Sequence, residues 1–173
     1  YIVKKYLKLM RIHHYIKNGL IFAPIFFSAN LLEGSLLLST ILGFIAFSFI
    51  ASAVYIINDI QDVESDRRHP TKCKRPLAAG IISINVARLL VVILVLFATG
   101  LNYLANGNLL SWTWLFIYLI INIAYSNGLK NYPIIDIAIF LSGFVLRVLY
   151  GASLSDIYIS DWIRSKTETD IIN

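Results

Sequence analysis

The chain has 173 residues, 58% of them hydrophobic and only 14% charged, with a mean hydropathy of +0.72. A water-soluble domain of this size carries about a quarter charged residues, so the length reads as one domain whose solvent is lipid. The net charge of +5 does not point to nucleic acid, because the positive residues are confined to particular loops, and the single cysteine, Cys73, excludes a disulfide framework and a cysteine-based zinc site.

Residues 1–17 place Lys4, Lys5, Lys8, Arg11 and Lys17 among aromatic and aliphatic residues, the pattern of a basic interfacial helix. His13 and His14 fit interfacial packing there. The first span is expected from about Tyr15 to Leu32, kinked at Pro24. Leu36 to Ile57 is almost uncharged and long enough for a hydrocarbon core of ~30 Å. A polar stretch from Asn58 to Gly80 follows, in which Pro70 and Pro76 break helix. Further spans are expected at Ile84–Leu104, with Arg88 snorkelling at its start, at Leu109–Tyr125 and at Ile134–Leu154. The fold class is therefore all-α, a multi-pass membrane bundle with five spans, occupying residues 1–163. The polar tail 164–173 is expected to be disordered or the end of a truncated chain. Lys and Arg gather before the first span, in 58–80 and at Lys130, while the alternate loops have none, which predicts a cytoplasmic location for the basic set.

The chemistry concentrates in the stretch 58–80. It holds Asp59, Asp62, Glu64 and Asp66, followed at once by Arg67, Arg68, His69, Lys72, Lys74 and Arg75. If the preceding helix continues at ~100° per residue, Asp59, Asp62 and Asp66 lie within about 60° of one another, with Asn58 at the border and Glu64 roughly 140° away. Three adjacent carboxylates repel one another, so a helix tolerates them only with a cation between them. An oxygen-only donor set suits Mg²⁺ bridging to a substrate phosphate. A solvated charged loop would not explain the one-sided spacing.

Asp136 and Arg147 form the second signal, 11 residues apart and on nearly the same face, with Gly143 between them. Arg147 would sit roughly 20 Å along its helix, where an ionised residue is costly and marks function by default, with a structural ion pair as the alternative. Lys17, His69, Lys72, Lys74, Arg75, Lys130 and Arg147 together supply the cations that hold phosphates. Carboxylates with Mg²⁺ on one side and cations on the other can bind a diphosphate and stabilise it as a leaving group. No serine triad order, glycine-rich phosphate loop or paired His/Cys metal motif is present.

Asn58-Asp59-x-x-Asp62-x-x-x-Asp66, extended by His69-Pro70-x-Lys72-x-x-Arg75-Pro76, resembles the first aspartate-rich motif of the UbiA-type intramembrane prenyltransferases. Arg11-x-x-x-Tyr15-x-Lys17-Asn18 upstream, and Tyr125-Ser126-x-x-Leu129-Lys130, Asp136 and Gly143-Phe144-Val145-Leu146-Arg147 downstream, are similar to its decaprenyl-phosphate phosphoribosyltransferase branch. The resemblance covers most of residues 11–162. It implies a bundle of nine membrane helices around a cavity open to the cytoplasm of a bacterial or archaeal plasma membrane and, laterally, to lipid. Five of those spans are expected here, so the chain is expected to be an N-terminal fragment. Asn58, Asp59, Asp62 and Asp66 would serve Mg²⁺ and pyrophosphate. Lys17, Lys72, Arg75, Lys130 and Arg147 would hold phosphates, with Asn18, His69, Tyr125, Ser126 and Asp136 as further substrate contacts. The implied substrates are phosphoribosyl pyrophosphate and a polyprenyl phosphate. The family's second motif is often DxxxD, and here Asp136 is the one carboxylate left in it. Two other readings stay open: a prenyltransferase joining a prenyl diphosphate to an aromatic acceptor, and a non-catalytic membrane protein such as a carrier or assembly subunit.

Overall fold

The computed structural model of the chain describes residues 2–28, 33–128 and 133–155, and among them the regular structure is entirely helical. Its order is α1 (Ile2–Met10), a 3-10 segment (Ile12–Phe22), α2 (Ala23–Phe27), α3 (Gly34–Gln61), α4 (Val63–Arg68), a 3-10 turn (Lys72–Lys74), α5 (Ile84–Asn106), α6 (Leu109–Ser126) and α7 (Pro133–Leu154). Lys130 and the tail 164–173 lie outside the described residues.

Four of these helices, α3, α5, α6 and α7, are long and apolar enough to cross a bilayer. The first expected span takes another form. In place of one kinked α-helix, the chain runs as 11 residues of 3-10 helix and then five of α-helix. A 3-10 helix rises ~2.0 Å per residue against 1.5 Å, so this short stretch still reaches about 30 Å. Pro24 falls in the first turn of α2, where its fixed φ suits the start of a helix. It marks the change of helix type.

α3 is the hub. It packs against α1, the 3-10 segment, α5, α6 and α7, and its buried residues include Gly43, Ala46, Ser48, Ala51, Ser52 and Ala53. Lipid tails give helices no hydrophobic reason to associate, so small side chains that allow close approach do that work. Phe47, Ile50 and Val54 fill the space toward Tyr118 and Tyr150, while Ala53 and Ile56 meet Leu9, Leu77 and Leu94 on the other side. Ser83 caps α5 by accepting from the Val86 N–H, and Asn108 caps α6 by accepting from the Ser111 N–H. Asn108 Nδ2 also donates to the Ser153 carbonyl at 2.6 Å, tying this turn to the end of α7. Arg88 is exposed in the second turn of α5, as a snorkelling residue should be.

Among the described glycines, the tightest approach to another segment's backbone is between α7 and the 3-10 segment. A Cβ at Gly151 would overlap the Ile21 backbone carbonyl, whereas one at Gly100 would meet nothing within 4 Å. Gly151→Ala should therefore lower stability in detergent by roughly 1–3 kcal/mol, the usual cost of overpacking. Gly100→Ala, tested by the same thermal melt, should be neutral or slightly stabilising. Equal melting temperatures for the two variants would show that the 3-10 segment docks loosely.

Candidate active site

Three helices and the 3-10 segment present polar stripes to one another near the ends of α3 and α6 and the start of α7. α3 contributes Tyr55 and Asn58; α6 contributes Tyr118, Asn122 and Tyr125; α7 contributes Asp136, Phe140, Gly143 and Arg147; and Lys17 comes from the 3-10 segment. Each helical set follows a spacing of three or four residues, which keeps it on one face. They line a cavity of about 270 Å³ that also reaches Arg11. Tyr125 Oη donates to Asp136 Oδ1 at 2.7 Å across the mouth. Lys17 Nζ lies 5.9 Å from the Phe140 ring centre, close enough for cation–π attraction.

Arg147 is 7% exposed. Its Nε donates to Asn18 Oδ1 at 2.8 Å and its Nη1 to the Gly143 carbonyl at 2.6 Å. Asn18 Nδ2 in turn donates to Ser48 Oγ at 2.9 Å, which fixes the amide with its oxygen toward the guanidinium. The guanidinium lies over the rings of Phe47 and Tyr118, at 5.2 and 5.5 Å. Among the described residues no carboxylate forms an ion pair with it, and Asp136 is engaged by Tyr125 instead. Arg147 is thus a fixed positive charge with neutral partners, at the wall of a cavity.

The acidic stretch folds around arginines. α3 stops at Gln61, Asp62 takes φ −89° and ψ 2°, and α4 starts at Val63. Asp59 and Asp66 are buried, at 3% and 2% exposure. Arg75 Nη1 donates to both, at 3.2 Å to Asp59 Oδ1 and 2.6 Å to Asp66 Oδ2. Arg11 Nη2 donates to the same Asp59 oxygen at 2.6 Å. The cation that the spacing demands between carboxylates is here a guanidinium, returned by the loop after α4. Arg11 reaches Asp59 from a left-handed backbone, φ 53° and ψ 46°, a conformation costing roughly 1–2 kcal/mol for a residue with a Cβ. The turn is held by Ser52, whose Oγ donates to the Met10 carbonyl and meets Tyr15 Oη, both at 2.7 Å.

Of the residues singled out in the sequence, Lys17, Asn58, Tyr125, Asp136 and Arg147 line the cavity and Asn18 holds one of its walls. Asp59, Asp66 and Arg75 form a cluster beside it. Asp62 sits at the α3–α4 junction. His69 and Lys72 are exposed, and the His69 ring accepts from the backbone N–H groups of Thr71 and Lys72. Ser126 turns onto its own helix and donates to the Asn122 carbonyl at 2.9 Å. Arg11, Tyr55, Tyr118 and Asn122 are additional wall residues. Their signal was in the sequence: Tyr118, Asn122 and Tyr125 recur at helical spacing in an otherwise apolar span.

A divalent cation fits this corner in one respect that can be checked. Asn58 Oδ1 is buried without a hydrogen-bond partner, on a residue that lines the cavity. An orphaned amide oxygen near carboxylates is the type of ligand a hard cation takes. Among the described residues no three His, Cys, Asp or Glu side chains already converge as a metal site. The donors are present, and arginines engage two of them.

The sequence profile of the UbiA prenyltransferase family matches residues 20–163. A decaprenyl-phosphate phosphoribosyltransferase of Corynebacterium glutamicum is 35% identical over 158 residues, covering 90% of this chain and 48% of that protein. The protein of the same name in Mycolicibacterium smegmatis is 33% identical over 165 residues, covering 93% and 51%. The chain therefore spans about half the length of these curated relatives. A solved structure of digeranylgeranylglyceryl phosphate synthase in membranes superposes with a TM-score of 0.71 at 24% identity, over 88% of this chain and 53% of that one. That likeness concerns the fold. An all-helical membrane bundle with a cationic and carboxylate-lined cavity, matched by the profile over most of its length, is an integral membrane protein that belongs to the UbiA prenyltransferase family.

Proposed function

We propose that the full-length protein transfers 5-phosphoribose from phosphoribosyl pyrophosphate to a polyprenyl phosphate, with release of pyrophosphate. The observation that carries this reading is Arg147, a buried guanidinium that donates to a neutral amide and a carbonyl and, among the described residues, pairs with no carboxylate. A cation kept unpaired at such depth is costly, and a phosphate ligand would supply its counter-charge through a bidentate, charge-assisted pair. Lys17 on the same walls adds positive charge that a neutral aromatic acceptor does not need. The names of the two actinobacterial relatives point the same way.

In this reading Asn58, Asp59, Asp62 and Asp66 would hold Mg²⁺. When bound, the metal supplies positive charge to the pyrophosphate and so makes it a better leaving group. An oxygen of the acceptor phosphate attacks the anomeric carbon of ribose; the bond from that carbon to the pyrophosphate oxygen breaks, and pyrophosphate leaves with the electron pair. Arg147 and Lys17 orient the phosphorylated groups, and the aromatic walls of Tyr55, Tyr118 and Phe140 exclude water. In this reading the cavity faces the cytoplasm, a side consistent with the excess of lysine and arginine in the adjoining loops.

Membranes carrying the full-length protein, given phosphoribosyl pyrophosphate labelled in the ribose and a polyprenyl phosphate, should form a labelled lipid and release pyrophosphate. The same membranes, given a prenyl diphosphate and an aromatic acid, should yield no prenylated product. The reverse outcome would overturn the substrate assignment.

A further inference from the structure

On the far side of the Arg11–Asp59 pair lies a second pocket, of about 230 Å³. Its walls come from separate parts of the chain: Lys8 of α1, Arg11 in the following turn, His13 and His14 of the 3-10 segment, and Arg75 of the loop after α4, with Asp59 between the arginines. Lys8, His13 and His14 have no part in the transfer reaction described above. Asp59 is already shared by two guanidiniums, so it leaves the remaining basic groups uncompensated. A concave surface with a surplus of one sign of charge attracts the opposite sign.

The elements that build this pocket also carry apolar side chains turned outward. Val3 and Leu7 of α1 are 68% and 44% exposed, and Ile16 is 85% exposed. Val3 and Leu7 stand next to Lys4 and Lys8 in the sequence. Outward apolar residues interleaved with lysines characterise a segment lying in the headgroup layer. A water-facing pocket for a free solute would not be framed this way.

We propose that this second pocket binds the phosphate of an acidic phospholipid headgroup, with Lys8, His13 and His14 as donors and the exposed apolar residues of α1 and the 3-10 segment against its acyl chains. The pocket shares Arg11, Asp59 and Arg75 with the acidic cluster described above, and its test is independent of which group the main cavity transfers, because the readout is lipid retention.

The test uses purified full-length protein in nanodiscs containing equal amounts of phosphatidylglycerol and phosphatidylcholine, with retained lipid counted by native mass spectrometry. Phosphatidylglycerol should be retained in preference. Lys8→Gln should reduce that preference about fivefold, the effect expected for one basic residue at a headgroup, and Lys8→Glu combined with His13→Gln should abolish it. Both positions are exposed, so melting temperatures should be unchanged; if the double variant does not fold, Lys8→Gln decides. Equal retention of the two lipids, or unchanged preference in Lys8→Gln, would overturn the proposal. Loss of the retained lipid on adding inorganic phosphate would assign the pocket to a free phosphate instead and would equally overturn the headgroup assignment.

Discussion

Asp59→Asn and Asp66→Asn in the full-length protein are each expected to reduce metal-dependent turnover by at least about a hundredfold, the scale seen when a charged group facing a reacting anion is removed. Two effects act together. A carboxylate proposed to hold Mg²⁺ loses its charge, and Arg75, which bridges both residues, loses half of its neutralisation. Breaking one side of a buried ion pair costs about 3–5 kcal/mol, so melting temperature should fall as well. Glu64→Gln separates the site from general acidity. Glu64 pairs with Arg67, and its side chain is 69% exposed, so this surface pair is worth at most about 1 kcal/mol. Its turnover should stay within about threefold of the parent. Magnesium titrations of initial rate read the difference; comparable losses at Glu64 and at Asp59 would remove the argument for a localised metal corner.

Arg147→Gln should separate activity from stability. If Arg147 holds a substrate phosphate, its loss removes one or two charge-assisted hydrogen bonds worth about 1.5–3 kcal/mol each, or roughly tenfold to a hundredfold or more in kcat/KM. Stability should move the other way or not at all, because the variant takes an unpaired cation out of a buried site while glutamine can still bond to Asn18. Thermal melts in detergent and steady-state rates from the same preparation give both numbers. A large drop in melting temperature alongside the loss of rate would identify Arg147 as a packing anchor between α3, α7 and the 3-10 segment.

The spans were readable because a hydrocarbon solvent demands long uncharged runs; α5, α6 and α7 begin and end within a few residues of where apolar composition puts them. The polar stripes on α3 and α7 were readable for the same reason, since Asn58, Asp136 and Arg147 stand out in apolar surroundings. Two features were not. Helical periodicity assumes an unbroken helix, so it could not foresee that the backbone at Asp62 departs from helical values and starts a separate short α4. Nor does local spacing say which distant residue neutralises a carboxylate. That Arg75 and Arg11 meet at Asp59 depends on how a loop and a turn fold back. The 3-10 form of the first segment escaped notice too, because its residues satisfy an α-helical pattern equally well. Its geometry comes from docking against α3 and α7, with Gly151 removing the side chain that would have kept it away.

The bond between Arg147 and Asn18 joins residues 129 positions apart in the chain. During synthesis, α7 emerges last among the described helices and carries a charge that isolated lipid resists. The acceptor it needs was made long before, and Ser48 on α3 already holds that acceptor in the right orientation. The docking of α7 is therefore expected to depend on the 3-10 segment and α3 already lying side by side.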